Sequence, residues 1–72
     1  MTLEQVFYQL HNQSLQGGDV LDMLWVMKDS GDIQDFIWNQ YTRDFQVTLN
    51  SGKVCSCHID VDHSCSLLAE MD

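Results

Sequence analysis

The sequence contains no proline, and its basic residues are almost as scarce: Lys28, Arg43 and Lys53 are the only three in 72 residues. Against them stand nine aspartates and two glutamates, for a formal charge of −8 with the histidines neutral. Such a chain is repelled by a phosphate backbone, which argues against direct nucleic-acid binding. The anionic inner surface of a membrane is disfavoured for the same reason. No apolar run approaches the ~20 residues of a membrane span. No basic stretch precedes an apolar one, so no signal peptide is expected. The four glycines are scattered, which, without proline, does not describe a linker or a low-complexity tail. There is no glycine-rich phosphate loop and no nucleophile elbow, so no enzyme is expected. Three cysteines is an odd number. A framework of disulfides would leave one unpaired, and a reducing, cytoplasmic setting is the simpler expectation.

What the chain does have is a 44% hydrophobic content, enough for a folded single domain over residues 1–72 rather than a disordered acidic tail. Thr2-Leu3-Glu4-Gln5 reads as a capping box. Leu3, Val6, Phe7 and Leu10 follow at helical spacing, predicting a helix over about 3–15 that Gly17-Gly18 stops. Asp19, with Asp22 three residues on, opens a second helix over about 20–29. Its run Val20, Leu21, Met23, Leu24, Trp25, Val26 and Met27 is apolar almost all round, which predicts a well-covered helix. Asp32, with Asp35 three residues on, repeats that start and predicts a third helix over about 33–41.

The period then changes from 3.6 to 2. Phe45, Val47 and Leu49 alternate with polar residues, and after Asn50-Ser51-Gly52 the alternation resumes through Cys55, Cys57, Ile59 and Val61. A three-residue loop with Gly52 in the left-handed region sets Phe45 opposite Cys57 and Val47 opposite Cys55, apolar against apolar. Strands are expected over about 44–49 and 53–61. The segment 64–71 alternates well enough for a third strand, which would support an otherwise marginal hairpin. The alternative is a C-terminal helix, on which Leu67, Leu68 and Met71 share a face. The fold expected is α+β, with three N-terminal helices packed on one face of a C-terminal antiparallel sheet.

Two constellations bear on function. Cys55, Cys57, His58, His63 and Cys65 offer five soft ligands in eleven residues, and a zinc site drawn from Cys55, Cys57, His63 and Cys65 is one reading. The spacing does not match a standard zinc knuckle. On a strand Cys55 and Cys57 share a face and His58 points away. The plainer reading makes the cysteines small apolar fillers beneath the helices. Asp60-x-Asp62-x-Ser64 begins like a calcium loop but has Cys65 where glycine is required and Met71 where a bidentate Glu belongs.

The second constellation is the acids. Asp19, Asp22, Asp32 and Asp35 have a structural explanation at helix N-termini, where capping and the helix dipole favour them. Asp29 lies in the last turn of its helix, where a negative charge costs stability. Asp44 falls opposite His58 and diagonal to Asp60, on an even-numbered sheet face that also carries Asp62 and, with a third strand, Glu70 and Asp72. This face is either a solvated surface or a display of charge to a basic partner. The near absence of interspersed cations and the dominance of short aspartates, which hold charge in place at little entropic cost, favour the display. Trp38 and Tyr41 are candidate anchors for such a contact.

With the acids Asp19, Asp22, Asp29, Asp32, Asp35, Asp44, Asp60 and Asp62, a small size and no catalytic motif, the chain resembles the phage-encoded anti-CRISPR proteins that act on type I systems, type I-C among them. The resemblance is one of size, acidity and motif absence over the whole chain. It implies a monomer in the bacterial cytoplasm that binds a CRISPR effector complex. There it would occupy the basic channel or PAM-reading surface meant for DNA. Two other readings stay open: the small zinc-binding module, and an acidic adaptor or antitoxin-like protein with a basic partner and no mimicry.

Overall fold

In a computed structural model, which describes residues 1–71, the chain forms two helices and four strands: α1 (Leu3–Leu15), α2 (Val20–Asp29), β1 (Asp35–Asn39), β2 (Asp44–Thr48), β3 (Val54–Ile59) and β4 (Cys65–Met71). The strands make one antiparallel sheet in the order β1-β2-β3-β4. The class is α+β, but the third helix expected over 33–41 is β1 instead. The physical reason lies in the residues themselves. Phe36, Ile37 and Trp38 are aromatic and β-branched, and they alternate: Phe36 and Trp38 are half-buried against Val47 and Phe45, while Ile37 is exposed. Asp32 and Asp35 do not cap a helix. Asp32 Oδ2 accepts from Ser30 Oγ at 2.9 Å, and Asp35 Oδ1 accepts from the Phe36 amide at 2.9 Å. Gly31, at φ +82°, ends α2, after which the amides of Asp32 and Ile33 both return to the Met27 carbonyl. The chain leaves that turn extended and pairs with β2, which would otherwise be an edge.

The first helix forms as its capping signal directs. Thr2 Oγ1 accepts from the Gln5 amide and Gln5 Oε1 from the Thr2 amide, so two orphan amides are satisfied reciprocally. Asp19 caps α2 through the Leu21 amide at 2.9 Å. The β2–β3 register sets Phe45 opposite Cys57, Val47 opposite Cys55 and Asp44 opposite His58. The three-residue loop Asn50-Ser51-Gly52 closes it, with Gly52 at φ +91°.

The core lies between the helices and one sheet face. Phe45, Val47, Cys55, Cys57 and Ile59 point up from the sheet, and Val6 and Leu10 of α1 and Val20, Leu24 and Met27 of α2 are buried with them. α2 is less covered than its composition predicts. Val20, Leu24 and Met27, at spacings of four and three, form the buried side, while Leu21, Trp25 and Val26 remain exposed. A sheet of four strands under two short helices has one covered face, and α2 lies at the side, next to β1. Among the described residues no helix is long and apolar enough to cross a membrane.

The two sides of α2 differ measurably in what they contribute. Leu24→Ala removes a fully buried side chain and is expected to cost about 2–5 kcal/mol. Val26→Ala, on the 58% exposed side, should stay within about 0.5 kcal/mol. Urea denaturation of the two variants beside the parent checks both.

Candidate acidic binding surface

The meander places the acids at two ends of the molecule. At the end formed by the start of β1 and the β2–β3 loop lie Asp29, Asp32 and Asp35, where Asn50 Nδ2 donates to the Gly31 carbonyl at 2.7 Å. At the opposite end lie Asp44, at the start of β2, and Asp60 and Asp62, in the β3–β4 connection. Asp19 caps the start of α2, and Asp22 occupies its first turn, about two turns before Asp29. The eight candidate residues are therefore not one patch.

The cations are committed within the fold. Lys28 Nζ pairs with Asp35 at 3.1 Å and lies 5.3 Å from the centre of the Trp25 ring. Lys53 Nζ pairs with Glu70 at 3.1 Å. Arg43 spends its guanidinium on main chain, donating through Nε to the Ile59 carbonyl at 2.8 Å and through Nη2 to the Asp60 carbonyl at 3.0 Å. His58 Nδ1 donates to Asp44 Oδ1 at 2.7 Å, the cross-strand contact that the register foretells. Among the described residues, Glu4, Asp19, Asp22, Asp29, Asp32, Asp60 and Asp62 have no cation within ion-pair distance.

Some of these carboxylates are nonetheless tied to their own turns. Asp62 Oδ1 accepts from the amide and hydroxyl of Ser64 at 3.0 and 2.6 Å, and these bonds hold its carboxyl below the usual range. Asp60 Oδ1 accepts from the Val61 amide at 2.7 Å. Asp35 is also lowered, first by the Phe36 amide and then by Lys28. Asp22 and Asp29 differ from these. Both are exposed on α2, seven residues apart and so on one side of the helix, about 10.5 Å along its axis. Trp25 and Val26 lie between them.

Two placements expected from strand parity do not hold. Asp60 and Asp62 lie beyond β3, which ends at Ile59, so they belong to a turn and not to the sheet face. A β-bulge leaves Leu68 as an extra residue between the Cys57–Leu67 and Ser56–Ala69 pairs. It reverses parity, so Glu70 stands opposite Cys55 on the helix side and meets Lys53. Asp72 lies outside the described residues.

Arg43 and His63 are structural pins, a role their residue types do not announce in the sequence. Both hold left-handed backbone, at φ +62° and +71°. His63 is bound to α1 twice: its Nδ1 is hydrogen-bonded to Ser14 Oγ, and its carbonyl accepts from His11 Nδ1 at 2.6 Å. Their positive φ is a feature of the folded backbone that no residue type in the sequence marks.

The cysteines sit among the core residues. Cys55 and Cys57 are fully buried side by side in β3, and Cys65 is half-buried at the start of β4. Burial pushes the Cys57 thiol up to about 12 and the Cys65 thiol to about 11. Burial thus favours the protonated form of both thiols, the less nucleophilic one. Among the described residues no three His, Cys, Asp or Glu side chains are grouped to hold a metal ion.

The Asp62 turn has a pH signature. Its carboxyl is lowered in the folded state, so the bond from Ser64 lends stability above the ordinary carboxylate range and loses it as pH falls through the lowered value. Ser64→Ala should raise the Asp62 value toward ordinary, read by NMR titration. The variant should be less stable than the parent at pH 7 and converge with it in acid. Thiol titration gives a second check: native protein at pH 8 should react slowly at Cys57 and Cys65, and fast once unfolded.

No protein-family model, curated protein or solved structure matches this chain.

Proposed function

We propose that this protein is a non-enzymatic inhibitor that acts as a monomer in the bacterial cytoplasm. It binds a basic nucleic-acid-binding protein complex and blocks its target DNA by imitating the charge of DNA. The resemblance in size and acidity to anti-CRISPR proteins of type I systems makes a type I surveillance complex, type I-C in particular, the partner of choice. One observation carries the reading: all three cations are committed inside the fold, and seven carboxylates face no cation among the described residues.

The chemistry is that of a competitor. A surface that reads duplex DNA is lined with Lys and Arg awaiting phosphates. Short aspartates at helix ends and in tight turns present charge at fixed positions with little rotamer entropy to lose. Carboxylates steer encounter over a Debye length, about 10 Å at 0.1 M salt, and the steering fades as salt rises.

A competition assay with purified type I-C surveillance complex and labelled target duplex tests this. The protein should displace the duplex stoichiometrically, and displacement should weaken as salt rises. The triple variant Asp29→Asn, Asp44→Asn, Asp60→Asn should keep its fold and lose displacement about tenfold or more. Binding without displacement of DNA would make the protein an adaptor and overturn mimicry. Undiminished displacement by the triple variant would reduce its acids to a solvated surface.

A further inference from the structure

The exposed side of α2 breaks the pattern of a solvated helix. Leu21, Trp25 and Val26 are 36, 48 and 58% exposed, and Ile37 of the adjacent edge strand and Tyr41 beyond it are 63 and 89% exposed. Leu21, Ile37 and Tyr41 line one groove, in which the open edge of β1 lies between the helix and the opposite sheet face. Trp25 is held in place. Its ring meets Phe36 edge-on at a centroid distance of 5.0 Å and is covered on one side by Lys28, itself fixed by Asp35. An aromatic side chain held this way loses little entropy on binding, as a contact anchor requires. Asp22 and Asp29 stand one turn to either side of it, without ion-pair partners among the described residues.

We infer that this surface, centred on Trp25 and flanked by Asp22 and Asp29, docks a basic amphipathic helix of a protein partner, whose apolar side meets Trp25 and whose Lys or Arg residues reach the two carboxylates. The inference rests on the basic partner proposed above and names the face such a partner meets. Charge selects the occupant. A second copy of this chain would bring eight negative charges against eight, with Asp22 and Asp29 facing acids. A nucleic acid would meet carboxylates with phosphates. A basic segment satisfies both the apolar centre and the acidic rim, the usual anatomy of a protein interface. The exposed Leu67 and Leu68 of β4 lack that rim, since Glu70 beside them is paired with Lys53.

The probe is a synthetic Leu/Lys amphipathic helix, with a scrambled peptide of equal composition as control, titrated into isotopically labelled protein. Amide shifts should concentrate in 21–29 and 37–41, Trp25 emission should change, and the scramble should bind at least tenfold more weakly. Asp22→Lys and Asp29→Lys should each weaken binding about tenfold, and Asp60→Asn less than twofold. Val26→Ser, which touches no ring contact, should weaken binding without the effect on Phe36 packing that Trp25→Ala carries. Shifts centred instead on Asp44, Asp60 and Asp62, equal binding of the scramble, or self-association that buries Trp25 would overturn the inference. The two proposals separate cleanly. Peptide mapping to α2 with no displacement of DNA from the surveillance complex leaves this inference standing and removes the inhibitor reading. Displacement insensitive to Asp22→Lys and Val26→Ser does the reverse.

Discussion

The contact between the inward rows of β2 and β3 and the two helices is the interaction on which the rest of the molecule depends. Phe45, Val47, Cys55, Cys57 and Ile59 are between 0 and 3% exposed, and Val6, Leu10, Leu24 and Met27 are buried with them. Two cysteines stand in this row as small apolar groups, fully buried in the core. A chain of 72 residues can build one such layer pair. The outer strands β1 and β4 are added at its margins, where the helices cover them only in part. Residues that find no cover there, Ile37 and Leu68 among them, face outward. The exposed apolar surface is thus a geometric consequence of a four-stranded sheet with two short helices.

Charge follows from the same economy of size. Three cations are few, and each holds a junction: Lys28 joins α2 to β1, Lys53 joins the start of β3 to β4, and Arg43 joins the β1–β2 turn to the end of β3. Holding left-handed backbone at Arg43 and His63 costs on the order of 1–3 kcal/mol each. Their hydrogen bonds to Ile59, Asp60, Ser14 and His11 offset it. With the cations used in this way, no cation lies within ion-pair distance of Asp22 or Asp29 among the described residues, and the fold must absorb their mutual repulsion with the other acids.

How far the sequence foretells this depends on the kind of signal. The β2–β3 register is legible because side chains alternate with period two, and one slip would have put Phe45 beside His58. The start of α1 is legible because Thr2 and Gln5 satisfy each other locally. β1 is not, because Phe36-Ile37-Trp38 is a contiguous apolar run whose period cannot be read, and Asp32-x-x-Asp35 repeats the spacing of Asp19-x-x-Asp22. What decides between them is long-range: the open side of β2. Glu70 changes faces through a bulge at Leu68 that no local residue announces. At the candidate surface, the acids and the Asp44–His58 contact follow from sequence and register. The commitment of Lys28, Lys53 and Arg43 to neighbours distant in sequence does not.

That commitment changes what the acidity means. Asp44, Asp60 and Asp62 look like the strongest group when counted along the chain, yet each is bonded locally, to His58, to the Val61 amide or to Ser64. Asp22 and Asp29 belong to a helix that is ordered for other reasons, through Leu24 and Met27, so their positions are set by the core and not by a bond to the carboxylates themselves. A carboxylate held by its backbone keeps its acceptor capacity for a partner. One held by its own hydrogen bond must give that bond up or share it. Between the two lies an aromatic ring already fixed from below and from the side. For the basic partner proposed above, long-range charge would govern how fast it arrives, and the apolar centre how long it stays. Charge and apolar surface, which look like separate excesses in composition, are on that proposal two parts of one contact on α2.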